Sequence, residues 1–103
     1  MTTFTQTGGV RIGTGFGAFN ASWPFAGLRV DDTELVLTCL WERWTFPKSS
    51  IRRLSRHEGV FSFGLRIEHS IESYPQFMVF WTFLFGHLQQ DLQERGYVIS
   101  QTG

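Results

Sequence analysis

The chain has 103 residues, and nine Lys+Arg balance nine Asp+Glu for a formal net charge of zero. No whole-molecule field therefore draws it to nucleic acid or to an anionic membrane, and no nucleic-acid partner is expected. This length fits one domain around one core, and a content of 42% hydrophobic and 17% charged residues is ordinary for a globular chain. The unusual figure is 17% aromatic, with eleven Phe and four Trp, which reads as efficient core filling. Cys39 is the single cysteine, so no internal disulfide forms and a reducing compartment is expected. The N-terminus lacks a basic stretch followed by an apolar run. The longest apolar runs fall far short of the roughly 20 residues needed to span a bilayer. A cytoplasmic location follows as the expectation.

Residues 1–15 are rich in Thr and Gly without clear periodicity and read as a flexible segment ahead of a domain over residues 16–99, with a short tail at 100–103. Phe19, Ala21, Trp23 and Phe25 then alternate with Asn20, Ser22 and Pro24, the pattern of a half-buried strand. Leu28 and Val30 continue the apolar face with the opposite parity, so a β-bulge or bend is expected near Ala26 and Gly27. Pro24, which donates no ladder hydrogen bond, needs an edge or that bend. Asp31, Asp32 and Thr33 signal a turn. Leu35, Leu37 and Cys39 share one face of the next strand, and a tight turn is expected at Trp41-Glu42 before Trp44 and Phe46 return. Residues 51–57 alternate poorly and read as a short or edge strand, closed by a turn at Glu58-Gly59. Phe63, Leu65, Ile67 and His69 alternate cleanly with Gly64, Arg66 and Glu68.

The stretch from Pro75 to Gly96 changes period. It begins as an aromatic strand at 77–81 and continues as an amphipathic helix over about 83–95, with Leu84, Phe85, Leu88 and Leu92 on one face. Gly96 is the expected stop. Six or seven short strands with tight connections imply antiparallel pairing, and the expected architecture is a mainly-β barrel of two orthogonal sheets capped by the C-terminal helix.

Several stretches resemble small bacterial pleckstrin-homology-like (PH-like, GRAM-like) proteins. They are Ser22-Trp23-Pro24-Phe25-Ala26-Gly27-Leu28, Phe46-Pro47-Lys48-Ser49-Ser50-Ile51, Gly64-Leu65-Arg66-Ile67-Glu68-His69, and Val79-Phe80-Trp81 entering the helix. The likeness covers most of the chain, about residues 16–99, and rests on structural residues. It implies a PH-like barrel and a binding module without enzymatic chemistry or cofactor, whose ligands across the superfold include inositol phospholipids, peptides and proteins. One departure bears on function. The first hairpin loop, where a phosphoinositide-binding PH domain carries cations, here holds Asp31, Asp32 and Glu34. Carboxylates there repel a phosphate headgroup.

Gly13-Thr14-Gly15-Phe16-Gly17-Ala18 matches a dinucleotide-type glycine spacing, but the Pro-containing strand pattern that follows offers no helix N-terminus for a pyrophosphate. His57, His69, His87 and Cys39 have no metal-ligand spacing, and Cys39 and His69 fall on faces expected to be buried. No nucleophile elbow or paired carboxylate is present, so no enzyme is expected. The one charge cluster is Arg43, Lys48, Arg52, Arg53 and Arg56. It reads either as a patch for an anionic partner or as edge-strand protection paired with Glu42 and Glu58. Strand alternation would point Arg52 and Arg53 to opposite faces. Trp41, beside a turn and next to Arg43, is either an exposed anchor or a core ring flanking the hairpin.

The functional expectation is a binding module for another protein or for itself, with Arg43, Lys48, Arg52, Arg53, Arg56 and Trp41 as candidate contacts. The first alternative is peripheral binding to anionic lipid or phosphate through residues 43–56. The second is carriage of a small apolar ligand inside the barrel, although enclosing one takes about eight strands and small barrels fill with their own side chains.

Overall fold

Gln6, Gly8, Val10 and Ile12 are buried while Thr5, Thr7 and Arg11 are exposed, an alternation with the period of a strand. This segment, expected to be a loose lead-in, is strand β1 (Phe4–Thr14), and it lies in the middle of the sheet. The computed structural model describes residues 3–14, 17–58 and 63–100. Gly15 and Phe16 of the glycine run, Gly59 of the expected turn, and 101–103 of the tail lie outside them.

After β1 come β2 (Gly17–Val30), β3 (Glu34–Cys39), β4 (Glu42–Pro47), a 3-10 turn at Lys48–Ser50, β5 (Ile51–Glu58), β6 (Phe63–His69), β7 (Phe77–Thr82), helix α1 (Phe85–Glu94) and a two-residue strand β8 (Ile99–Ser100). The chain is thus mainly β with one C-terminal helix. All strands join one sheet in the order β4-β3-β2-β1-β7-β6-β5-β8, antiparallel except for the β5–β8 pair. In place of an expected closed barrel of two sheets there is one open sheet. β1 pairs with both β2 and β7 and ties the two halves together.

The edges β4 and β8 are not joined strand to strand, and β4 and the turn after it bond instead to the segment that follows β6. The Thr45 amide donates to the Tyr74 hydroxyl at 3.2 Å, and the Ser70 amide donates to the Ser50 carbonyl at 2.9 Å. The sheet nevertheless curls over one interior. Phe46 of β4 lies 5.1 Å from the His69 ring of β6, centroid to centroid. Leu28, Leu37, Phe46, Leu65, Ile67 and Phe80 meet Leu88 and Leu92 of the helix in a single core. Each such side chain contributes about 1.5–3 kcal/mol on burial.

The helix buries Phe85, Leu88 and Leu92, as its periodicity requires. Leu84, expected on the same face, instead precedes the first helical turn and is exposed. The C-terminus closes as a Schellman cap: Tyr97 N–H donates to the Leu92 carbonyl at 3.0 Å and Gly96 N–H to the Gln93 carbonyl at 3.1 Å. Gly96 has φ of +88°, where glycine is unstrained. Tyr97 then returns to the core, and its hydroxyl donates to the Asp31 carbonyl at 2.9 Å.

Burial, and then the charge of Asp31, push the Tyr97 phenol from its ordinary 10.0 to about 12. Between those values the unfolded chain has lost a proton that the folded chain keeps. The contribution is therefore intact below about pH 10 and is lost as pH rises toward 12. Tyr97→Phe should flatten this loss while costing about 1 kcal/mol at neutral pH through the missing hydrogen bond. Urea midpoints at neutral and strongly alkaline pH check it. An equal alkaline decline in both proteins would contradict the assignment.

Candidate functional site

The register between β1 and β2 breaks in an unusual way. Gly8 pairs with Ala26 and Val10 with Ala21, so Gly9 alone stands opposite residues 22–25 of β2. Those residues, which include the cis Trp23–Pro24 peptide, bow out of the ladder. The expected bulge therefore exists, slightly earlier than Ala26-Gly27, and it is wider. Its consequence overturns the expected burial of Trp23 and Phe25, which are 55% and 56% exposed. Simple alternation assigns them to the face of Ala21, but alternation fails inside a bulge.

The β3–β4 hairpin adds to the same surface. Cys39 pairs with Glu42, so the turn is Leu40-Trp41, one residue before the expected position. The Leu40 amide donates to the Phe25 carbonyl at 3.1 Å, which sets the hairpin tip against the bulge. Trp41 is 87% exposed, which removes the core-ring alternative. Leu40 is also exposed and has φ of 56°, a left-handed conformation that favours Gly or Asn over a branched apolar residue.

The junction between β7 and the helix supplies the rest. The Leu84 amide donates to Thr82 Oγ1 at 3.1 Å, and Gln6 Nε2 donates to the Leu84 carbonyl at 3.0 Å. These bonds hold Phe83 and Leu84 at the surface, both exposed. Between the bulge and the junction lies an apolar groove of about 240 Å³, lined by Gly9, Ala21, Trp23, Trp81 and Phe83 among others. A second groove of about 400 Å³ continues past Thr7 to Leu84. Trp81 is a fixed wall of the first: a Cβ on Gly64 would come within 3.0 Å of its ring, and the His57 ring packs 5.5 Å away.

The cationic candidates separate into three groups. Lys48, Arg52 and Arg53 line one shallow groove with Gly96, Tyr97 and Val98. The expected opposition of Arg52 and Arg53 fails, because β5 shifts register between Ile51 and Arg53 and leaves Arg52 unpaired with β6, so both are exposed. The same shift explains the poor alternation of this strand, which is one from the edge. Lys48 is held against the helix end: its ammonium donates to the carbonyls of Arg95 at 2.6 Å and Asp32 at 3.1 Å. It thereby neutralises the C-terminal end of the helix dipole. Arg53 pairs with Glu68 at 3.9 Å. Arg56 stands apart, paired with Glu58 at 3.3 Å and stacked over Phe63. Arg43 is on β4 beside Trp41. It and Glu42 are exposed, and neither forms an ion pair among the described residues.

The remaining groups are structural. Ile71 N–H donates to His69 Nδ1 at 3.1 Å, so Nε2 carries the proton and donates to the Pro75 carbonyl at 2.8 Å. Both ring nitrogens are thus engaged. Burial, and then Glu42, push the Cys39 thiol above its ordinary value, which keeps it protonated and a poor nucleophile. The glycine run leads into strand β2, so no helix N-terminus follows it. Among the described residues no three metal-binding side chains gather, and no helix is long and apolar enough to cross a membrane. No family model, curated protein or solved structure matches this chain.

Sequence reasoning reached Trp41 and missed Trp23, Phe25, Leu40, Phe83 and Leu84. The signals were Pro24 inside a strand pattern, the parity flip behind it, and the change of period at residues 83 and 84. An apolar residue kept in a left-handed turn is a local conflict of the kind binding surfaces retain. Leu40→Gly should therefore raise stability by about 0.5–1 kcal/mol. Its urea midpoint checks this, and a destabilised variant would show that Leu40 is held by packing.

Proposed function

We propose that this chain is a non-catalytic, PH-like binding module of the cytoplasm that engages another protein through its exposed aromatic surface. The observation that carries the reading is the concentration of Trp23, Phe25, Leu40, Trp41, Phe83 and Leu84 at the bulge, hairpin tip and strand–helix junction. Large apolar side chains gathered on a surface mark interaction sites, and Trp is enriched among the anchors of protein interfaces. A PH-like assignment is supported by consecutive antiparallel strands, a curled sheet and a single terminal helix laid on its core.

The anionic-lipid alternative ranks behind. Arg29 pairs with Asp31 and Glu34, and Arg95 with Asp32, so the acidic first loop offers no cation to a headgroup. The Lys48 ammonium points two of its three donors at carbonyls of the chain. The apolar-carrier alternative has little room, because Phe46, Phe80, Leu88 and Leu92 fill the interior and the grooves lie outside.

Affinity capture from the native cells tests the reading with two variants. Trp23→Ser with Phe83→Ser should keep the circular dichroism of the fold and lose a specific protein partner. Arg52→Ser with Arg53→Ser should retain it. The reverse pattern would transfer the function to the cationic groove.

A further inference from the structure

We infer that the groove between β5 and the end of the helix is a second ligand site, separate from the aromatic surface, and that it takes the phosphate group of a small soluble phosphate ester. Lys48, Arg52 and Arg53 line it, with Ile51, Leu54 and Val98 as its apolar part, and no carboxylate lines it among the described residues. Consecutive strand residues normally point to opposite faces. Here the register shift between Ile51 and Arg53 leaves Arg52 without a partner on β6, and both arginines reach one groove. Re-aiming a side chain is a known use of a bulge beside a site. Arg52 is exposed and forms no ion pair among the described residues, so its guanidinium is uncommitted. Lys48 is fixed in place by its two carbonyls and by the Tyr97 ring, whose centroid is 4.4 Å from the ammonium. That leaves one of its three donors for a ligand. Gly96 lines the groove beside it, and with no side chain there the approach to the ammonium stays open.

The chemistry of the lining selects the ligand. Planar guanidinium forks and a held ammonium match the oxygens of phosphate or carboxylate. Several cations around one group favour phosphate, which carries close to two negative charges at neutral pH, over the single charge of a carboxylate. The groove holds about 240 Å³. Pockets for drug-sized ligands run to roughly 300–1,000 Å³, so this one fits a small group and the part of the molecule next to it. Val98, 81% exposed, offers that part an apolar contact. A lipid headgroup presents the same phosphate chemistry, but the acidic loop is tied to the groove through the bond from Lys48 to the Asp32 carbonyl. Carboxylates of that loop oppose a continuous anionic surface more than a single soluble group.

Inorganic phosphate titrated into isotope-labelled protein at fixed ionic strength, followed by the amide resonances, tests this. The amides of Lys48, Arg52, Arg53, Gly96, Tyr97 and Val98 should shift saturably, with a Kd on the order of 1 mM, and chloride at the same ionic strength should leave them in place. Arg52→Ser, an exposed change outside the core, should keep the spectrum of the fold and weaken binding at least about tenfold. Glu68→Gln removes a negative charge beside Arg53 and should tighten it. Trp23→Ser with Phe83→Ser should bind phosphate as wild type does, which separates this site from the aromatic surface. Shifts that chloride reproduces, shifts that survive Arg52→Ser, or no saturable shift at tenfold above the expected Kd would each overturn the inference. Sedimentation with phosphatidylcholine–phosphatidic acid vesicles that Arg52→Ser abolishes would overturn the soluble source and make the groove a membrane contact.

Discussion

The backbone of β1 passes its neighbours too closely for side chains at Gly8 and Gly9, and much of the molecule follows from that constraint. A Cβ on Gly8 would overlap the Trp81 carbonyl oxygen, and one on Gly9 would stand 2.6 Å from the Ala21 carbonyl oxygen. Glycine is the residue that permits such an approach. With it, β1 belongs to both halves of the sheet, pairing with residues 26–30 of β2 by its first half and with β7 by its second. The same crossing point leaves one residue of β1 opposite four of β2. The surplus has to leave the ladder, and it carries Trp23 and Phe25 outward.

The exposed surface is thus a product of the fold's tightest point, not an accident of loops. Leaving a large apolar side chain in water forgoes up to about 1.5–3 kcal/mol of burial. Here the helix could have covered Leu84, and the hairpin could have used Gly or Asn at its turn. Instead Thr82 and Gln6 hold the junction open by specific hydrogen bonds, and Leu40 sits in a left-handed turn. These are choices against local stability that a contact surface accounts for. The cationic residues behave in the opposite way: Lys48, Arg53, Arg56 and Arg95 are tied to carbonyls, carboxylates or rings.

Much of the architecture was legible in the chain because period and burial agree there. The face of Leu35, Leu37 and Cys39, the face of Leu65, Ile67 and His69, and the helix through Phe85, Leu88 and Leu92 are inside as their spacing requires, while Phe63 and Leu84, the first members of the latter two patterns, are exposed. β1 was not legible because its inward positions include Gln6 and Gly8, which hydropathy does not count. Closure of the sheet is a tertiary matter, decided by whether strands far apart in sequence, β4 and β8, meet edge to edge, which no local pattern records. Of the surface, only Trp41 was visible, since a turn is a local feature. Trp23 and Phe25 needed the register of β1 against β2, and Arg52 beside Arg53 needed that of β5 against β6, and no single strand contains its own register.

The most direct measurement is amide hydrogen exchange, residue by residue, in dilute protein. Backbone amides of residues 10–13, hydrogen-bonded into a strand flanked on both sides, should exchange with the slowest class, alongside β7, while those of Ser22, Trp23 and Phe25 exchange quickly. Fast exchange throughout β1, with slow exchange at Ser22, Trp23 and Phe25, would contradict the account. It would make the N-terminal segment peripheral and the aromatic bulge an ordinary part of the sheet.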